Sequence, residues 1–251
     1  MIDSRRLAYL EALGVDVYVR RGLEPRAEPR AEPAAAPVEA PRAVLESAAV
    51  VVERGPEANL DWEPLREMVA ACTRCTLHET RTQTVFGVGS RRARWMFIGE
   101  APGAEEDRQG EPFVGRAGQL LTSMLRALGF GRDDVYIANV LKCRPPGNRD
   151  PRPEEAAQCR GYLERQIELV SPTLIVAVGR IAAQNLLATD TPLGKLRGKV
   201  HALGERRWPL IVTYHPAYLL RSPGEKRKAW QDLVFARDVH RRIVAGGRIA
   251  P

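Results

Sequence analysis

The chain has 251 residues, 44% of them hydrophobic and 27% charged, which is ordinary globular composition and enough for one sizeable domain plus an appendage. No window approaches the roughly 18 consecutive apolar residues of a membrane span, and the start, Met-Ile-Asp-Ser-Arg-Arg, lacks the apolar stretch of a secretory signal, so the expectation is a soluble, cytoplasmic monomer with no membrane partner. The net charge of +7 is unevenly placed: residues 1–58 hold 8 basic and 10 acidic side chains, while the other 193 hold 30 and 21 and carry +9, a field that suits nucleic acid and also fits a generally basic soluble protein.

Residues 3–13 read as a short amphipathic helix with Leu7, Leu10 and Leu13 on one side. A degenerate repeat, Glu-Pro-Arg-Ala, occupies 24–37, and proline at that density forms neither a helix interior nor a central strand. The expectation is therefore an arm (1–23), an extended spacer (24–58) and a folded domain (59–251). The arm is either a frayed end or a tethered docking peptide for a protein partner.

From residue 60 the pattern becomes strand–helix. Leu65, Met68 and Val69 predict a helix running towards Cys72, and Arg94–Gly99 a buried strand. Leu120, Leu121, Met124, Leu125 and Leu128 place a helix at 115–128, and Val135–Leu141 is a second strand. Pro153 followed by Glu154 and Glu155 opens a helix, with proline early and acids at the positive end of the dipole. Thr173–Val178 is a third strand, followed by a helix at 180–188, a strand at 209–213 and a closing helix at 224–245 anchored by Trp230, Leu233 and Val234. Continuous apolar strands alternating with helices imply an α/β fold, a mostly parallel four-stranded sheet in a three-layer αβα sandwich. Such sheets bind ligands beyond the carboxyl ends of their strands, which singles out loops 99–113, 139–147 and 214–221.

Those loops carry the unusual residues. Gly99-Glu100-Ala101-Pro102-Gly103 puts a carboxylate directly after a buried strand, where burial of the charge needs a reason. Asn139 ends the second strand with one donor and one acceptor, suited either to capping a turn or to reading a base edge. His215, fixed by Pro216, is a candidate donor or a satisfied structural histidine. Leu219, Leu220 and Arg221 begin a helix, or form the apolar wedge and cation that a DNA-kinking protein inserts into a base stack. The four cysteines, Cys72, Cys75, Cys143 and Cys159, start with C-x-x-C and favour a shared metal over disulfides. Four thiolates suit either an iron–sulfur cluster or zinc.

The segments GEAPG, EED, PFVG-AG-LL, NVLKCRPP, PLGKLRG and TYHPAYLLR, in this order over about residues 60–245, resemble the family 4 uracil-DNA glycosylases, the iron–sulfur type of bacteria and archaea. The resemblance implies a uracil-DNA glycosylase-like fold and a monofunctional enzyme of base excision repair acting on uracil-containing DNA. It implies that Gly99 and Ala101 line the base pocket, that Phe113 stacks on the flipped uracil and that Asn139 bonds its Watson–Crick edge. It further implies that His215 donates to uracil O2, that Glu106 sits against C5 and excludes thymine, and that Glu100 orients water or stabilises the sugar cation. Leu219, Leu220 and Arg221 would fill the vacated space, and Cys72, Cys75, Cys143 and Cys159 would hold a structural [4Fe–4S] cluster. A related cluster-bearing group that links covalently to uracil carries GEQPG and a histidine in an inserted loop. Here residue 101 is alanine and residues 145–153 contain no histidine, which argues against covalent trapping. Two rivals are a DNA-binding module without catalysis and a magnesium nuclease built on Glu105, Glu106 and Asp107.

Overall fold

A computed structural model describes residues 55–247; the expected N-terminal helix and the spacer up to residue 54 lie outside the described residues. The described strands form one six-stranded sheet. They are β1 (Val88–Gly89), β2 (Trp95–Gly99), β3 (Tyr136–Asn139), β4 (Leu174–Val178), β5 (His201–Leu203) and β6 (Trp208–Thr213), in the order β1-β3-β2-β4-β6-β5. The inner four are the four expected strands and pair in parallel, while β1 and β5 add antiparallel edges. These edges are only two and three residues long, too short to leave a hydrophobic pattern in the sequence.

Alternation along the inner strands sorts the core into two layers. Met96, Ile98, Ala138, Ile175, Ala177, Leu210 and Val212 face one side, packed against α4 (Pro153–Val170) and α5 (Arg180–Leu187). Trp95, Phe97, Ile137, Leu174, Val176 and Ile211 face the other, against α3 (Arg116–Leu128) and α8 (Lys226–Val244). Burial of each of the larger of these side chains contributes about 1.5–3 kcal/mol, and covering both faces is what a parallel sheet requires. The helix α3, on the crossover from β2, lies on one face and α5, after β4, on the other, so a crevice opens between these neighbouring strand ends. No helix among the described residues is long and apolar enough to cross a membrane.

Four expectations need correction. The spacer does not run to 58, because Pro56–Asn59 form a 3₁₀ turn whose Glu57 is buried and paired with Arg74, Nη2 to Oε2 at 2.7 Å. Trp230 does not anchor α8: it is 41% exposed, and Ala229, Asp232, Leu233, Ala236 and Val239 face inward instead. Loop 99–113 contains a short helix, α2 (Ala104–Gln109). For segment 214–221 the helix alternative holds and the wedge reading of Leu219 gives way: α7 (Pro216–Arg221) packs against α3 and buries Leu219 to 1% exposure. A side chain committed to the core in this way is not free to wedge into DNA.

Arg74 holds the Glu57 carboxyl below the ordinary carboxylate range, chiefly through the hydrogen bond and against the cost of burial. Glu57→Ala is expected to lower unfolding free energy by about 1–2 kcal/mol at neutral pH, read from urea denaturation of the full chain. A lowered folded-state pKa means this contribution is complete above the ordinary carboxylate range and is lost as pH falls below it. The difference between variant and wild type should therefore shrink in acid.

Candidate functional site

At the carboxyl ends of the inner strands lies a cleft of about 650 Å³, lined by Glu100, Ala101, Glu106, Phe113, Asn139 and His215 among others. Every inner strand contributes: Glu100 follows β2, Asn139 ends β3, Arg180 follows β4 by one glycine, and His215 lies two residues past β6. The backbone fixes the first two together, because Gly99 pairs with Asn139 in the β2–β3 register. The pairing continues past the strands, with Val140 N–H donating to the Gly99 carbonyl at 2.9 Å and Leu141 N–H to that of Glu100 at 3.0 Å.

The floor of the cleft is tightly packed. A Cβ on Gly99 would lie 2.5 Å from both Asn139 Oδ1 and Phe113 Cζ, so only glycine lets the amide and the ring approach the strand end. Asn139 is 2% exposed, and its Oδ1 is buried with no hydrogen-bond partner. Leaving a buried acceptor unmade costs about 1–3 kcal/mol, and an amide in that state points to a ligand that supplies the missing donor.

Phe113 sits at φ 55°, a left-handed conformation that a bulky residue rarely adopts. Its surroundings hold it there. Arg132 donates to the carbonyls of Pro112 and Phe113 at 2.7 and 3.1 Å. Glu106 Oε1 accepts from Val114 and Gly115 N–H at 2.9 and 3.0 Å, while its Oε2 accepts from Gly103 N–H at 3.1 Å. Gly118 on α3 leaves room for the Phe113 carbonyl, which a Cβ would meet at 1.8 Å. The Phe113 ring in turn lies 5.6 Å from the His215 ring, tilted by 33°.

His215 caps α7: its Nδ1 accepts from Ala217 N–H at 3.2 Å. That assigns the proton of the neutral ring to Nε2, leaving a donor. Desolvation, and secondarily Arg221, pull its pKa down to about 4, so the ring is neutral at physiological pH. Gly179, at φ 101°, makes room for this side chain, since a Cβ there would meet His215 Cβ at 2.8 Å. Glu100 is shifted the other way: burial first, then Asp150, raise its pKa to about 7, against Arg180. A carboxyl and an imidazole displaced in opposite directions in one cleft is the pattern of acid–base chemistry.

Asp150 and Arg180 form an ion pair at 2.7 Å and both line the cleft. Sequence reasoning missed them, although the strand-end rule that selected the other loops applies equally after β4. The acidic run does not converge. Glu105 pairs with Arg108, Glu106 clips the loop amides, and Asp107 accepts from Thr82 N–H at 3.0 Å, so the magnesium-nuclease rival loses its site. Of the expected wedge, only Arg221 lines the cleft, together with Tyr214, Ala217 and Tyr218.

A second, smaller cavity is lined by all four cysteines together with Arg74, Arg81, Lys142 and Tyr162. Cys72 follows α1 (Trp62–Ala70), Cys143 follows β3 and Cys159 lies on α4, so the thiols gather three distant segments. Arg81 Nη1 reaches Cys143 Sγ at 3.1 Å. Lys142 is 1% exposed and donates to two neutral oxygens, Asn139 O at 2.9 Å and Gln166 Oε1 at 2.6 Å. A buried ammonium with neutral partners is costly, and burial lowers the Lys142 pKa to about 8, with Cys159 and Cys143 opposing that fall. Burial pushes the Cys159 thiol up to about 12 and raises that of Cys143 as well, so these two sulfurs ionise only when something cationic binds them. Among the described residues no three thiol, imidazole or carboxylate groups converge as a single metal ion requires. The thiols surround a space instead.

The sequence matches the profile of the Uracil DNA glycosylase superfamily over residues 86–234. It is 50% identical over 163 residues to the type-4 uracil-DNA glycosylase of Archaeoglobus fulgidus, covering 62% of this chain and 81% of that protein. It is 49% identical over 162 residues to the type-4 enzyme of Thermotoga maritima, covering 64% of this chain and 83% of that protein. A type-5 uracil-DNA glycosylase of Pyrobaculum aerophilum is 36% identical, covering 52% and 64%.

The tautomer assignment is testable by nitrogen NMR of the ring. His215 should remain neutral with its proton on Nε2 from pH 8 down to about 5. A titration near the ordinary histidine value would show that the ring is not desolvated as described.

Proposed function

The chain belongs to the uracil DNA glycosylase superfamily, and from that membership we infer that it acts as a uracil-DNA glycosylase of base excision repair. It takes uracil out of the DNA stack and hydrolyses the N-glycosidic bond to leave an abasic site. The unpaired, buried Oδ1 of Asn139 supports this reading most directly. Uracil offers an N3–H donor and an O4 acceptor side by side, complementary to a carboxamide oxygen and its NH₂. Cytosine has no proton at N3 and carries an amine at C4, so the amide in this orientation mismatches it at both positions.

Flipping costs a few kcal/mol, which stacking on Phe113 and the Asn139 bonds offset. As the C1′–N1 bond breaks, its electron pair moves onto the base and charge builds on uracil O2. His215, a neutral Nε2–H donor, bonds that oxygen without having to be protonated first, a contribution on the order of 10²–10³ in rate for a single such donor. The sugar is left with oxocarbenium character. Glu100 as carboxylate orients the water that adds to C1′ and takes its proton; this is general-base work worth on the order of 10²–10⁴. Glu106, gripped by three amides, is a rigid wall suited to stand against C5 and to exclude a methyl group there.

We infer further that Cys72, Cys75, Cys143 and Cys159 hold a [4Fe–4S] cluster. An all-thiol donor set spread around one cavity lined by cations fits such a group. Its role when bound is structural, tying α1, the loop after β3 and α4 together. Lys142, between Cys143 and the Asn139 carbonyl, joins that region to the base-reading strand end.

Purified chain incubated in EDTA with an oligonucleotide carrying one uracil, then treated with alkali, should yield a break at the uracil only. Glu100→Gln should slow the single-turnover rate about 10²–10⁴-fold, and the wild-type rate should rise with pH through about 7, where Glu100 ionises. Cleavage that needs added magnesium, or that occurs without uracil, contradicts the reading. The metal assignment predicts about four iron and four sulfide per chain, lost together with folding stability in Cys159→Ser. One zinc per chain in place of iron would refute it.

A further inference from the structure

Tyr218 is the one side chain of the segment 214–221 that is both aromatic and more than a third exposed, at 37%, and it lies on the rim of the base cleft. Its neighbours are placed otherwise: Leu219 is buried in the core, Leu220 is half-buried and outside the cleft lining, and Arg221 is exposed and cationic. We propose that Tyr218 is the side chain that enters the duplex at the flipped uracil, stacking on the adjoining base pair and filling the vacated space. This deepens the glycosylase reading and rests on it.

The ring is held ready by a chain of contacts that starts in the core. Asp232, on α8, is buried and accepts from Thr213 Oγ1 at the end of β6 at 2.9 Å. Its carboxylate receives Arg197 through both oxygens, Nε at 2.7 Å and Nη2 at 2.9 Å, and the same Nη2 also donates to the Lys228 carbonyl at 2.8 Å. The guanidinium so fixed lies 4.5 Å from the centre of the Tyr214 ring, a cation–π contact. Tyr214 then stacks on Tyr218, with centroids 5.2 Å apart and planes within 21°. This also gives Arg197 of the PLGKLRG segment a function: it fixes the aromatic pair and does not itself touch the base pocket.

The chemistry matches a nucleobase. A flat ring at the mouth of a pocket, already stacked on a second ring, offers a π-face to any base, whatever its sequence. Placed at the rim, it can occupy the space the uracil leaves while Phe113 receives the uracil inside. Arg221, beside it, is suited to the flanking phosphate.

The test compares the full-length wild type with Tyr218→Ala, Tyr218→Phe and Leu220→Ala, in single-turnover cleavage of one uracil strand alone and annealed opposite guanine. Tyr218→Ala should lower the duplex-to-single-strand rate ratio roughly ten- to hundredfold. Tyr218→Phe should restore the ratio to within about threefold of wild type, and Leu220→Ala should leave it there. In a duplex carrying 2-aminopurine beside the uracil, wild type and Tyr218→Phe should quench the fluorescence on binding, and Tyr218→Ala should let it rise. An unchanged ratio in Tyr218→Ala, or a selective loss in Leu220→Ala instead, overturns the proposal. A wild type that cleaves neither substrate overturns the glycosylase reading itself, so the two failures are distinguishable.

Discussion

The approach of Asn139 to Gly99, where two parallel strands end side by side, is the constraint on which the cleft depends. With no Cβ at residue 99, the amide oxygen and the Phe113 ring both reach the strand end. The amide is thereby buried with an acceptor unsatisfied. The protein accepts that cost, and the strain at Phe113, because several strong contacts hold them in place: the Arg132 fork on two carbonyls, the Glu106 carboxylate on three amides, and a glycine on α3 that lets the backbone through. Strain of this kind persists only where the surroundings over-determine it.

The same dryness sets the protonation states. Burial moves both Glu100 and His215 towards their neutral forms. For the histidine this gives a neutral donor whose tautomer is fixed by the α7 cap. For the glutamate it gives a carboxyl that ionises near neutrality, with the Asp150–Arg180 pair beside it setting the balance. Charge also gathers at the cysteine cavity, where Arg81 and Lys142 sit beside sulfur. The buried lysine is the physical link between the two regions, since it hydrogen-bonds the backbone carbonyl of Asn139 at the floor of the cleft.

Much of this was legible in the sequence because it follows from short-range pattern. The four inner strands are apolar runs of four to six residues, and the rule that parallel sheets bind at strand ends singled out the loops that carry Glu100, Asn139 and His215, whose roles came from the family resemblance. What was not legible depends on partners far along the chain. Two adjacent leucines do not reveal which one a short helix turns inward, and Leu219 is the one that is buried. Glu106 could be read as an acid of a solvated run, since nothing local shows that its carboxylate reaches Val114 and Gly115. Trp230 lies at a plausible core spacing on α8, yet the smaller Ala229 and Ala236 take the face that meets the sheet. Lys142 has its partner on Gln166, an element away.

The central claim is that Asn139 reads the uracil edge, and its side-chain amide resonance is the most direct witness. On titration of the protein with free uracil, and in parallel with thymine and cytosine, the Asn139 Nδ2 signal should shift with uracil as its buried oxygen gains the N3–H donor. Thymine should shift it far less at equal concentration, and cytosine not at all. Uracil binding that leaves this resonance unmoved, or equal shifts with all three bases, would contradict the account.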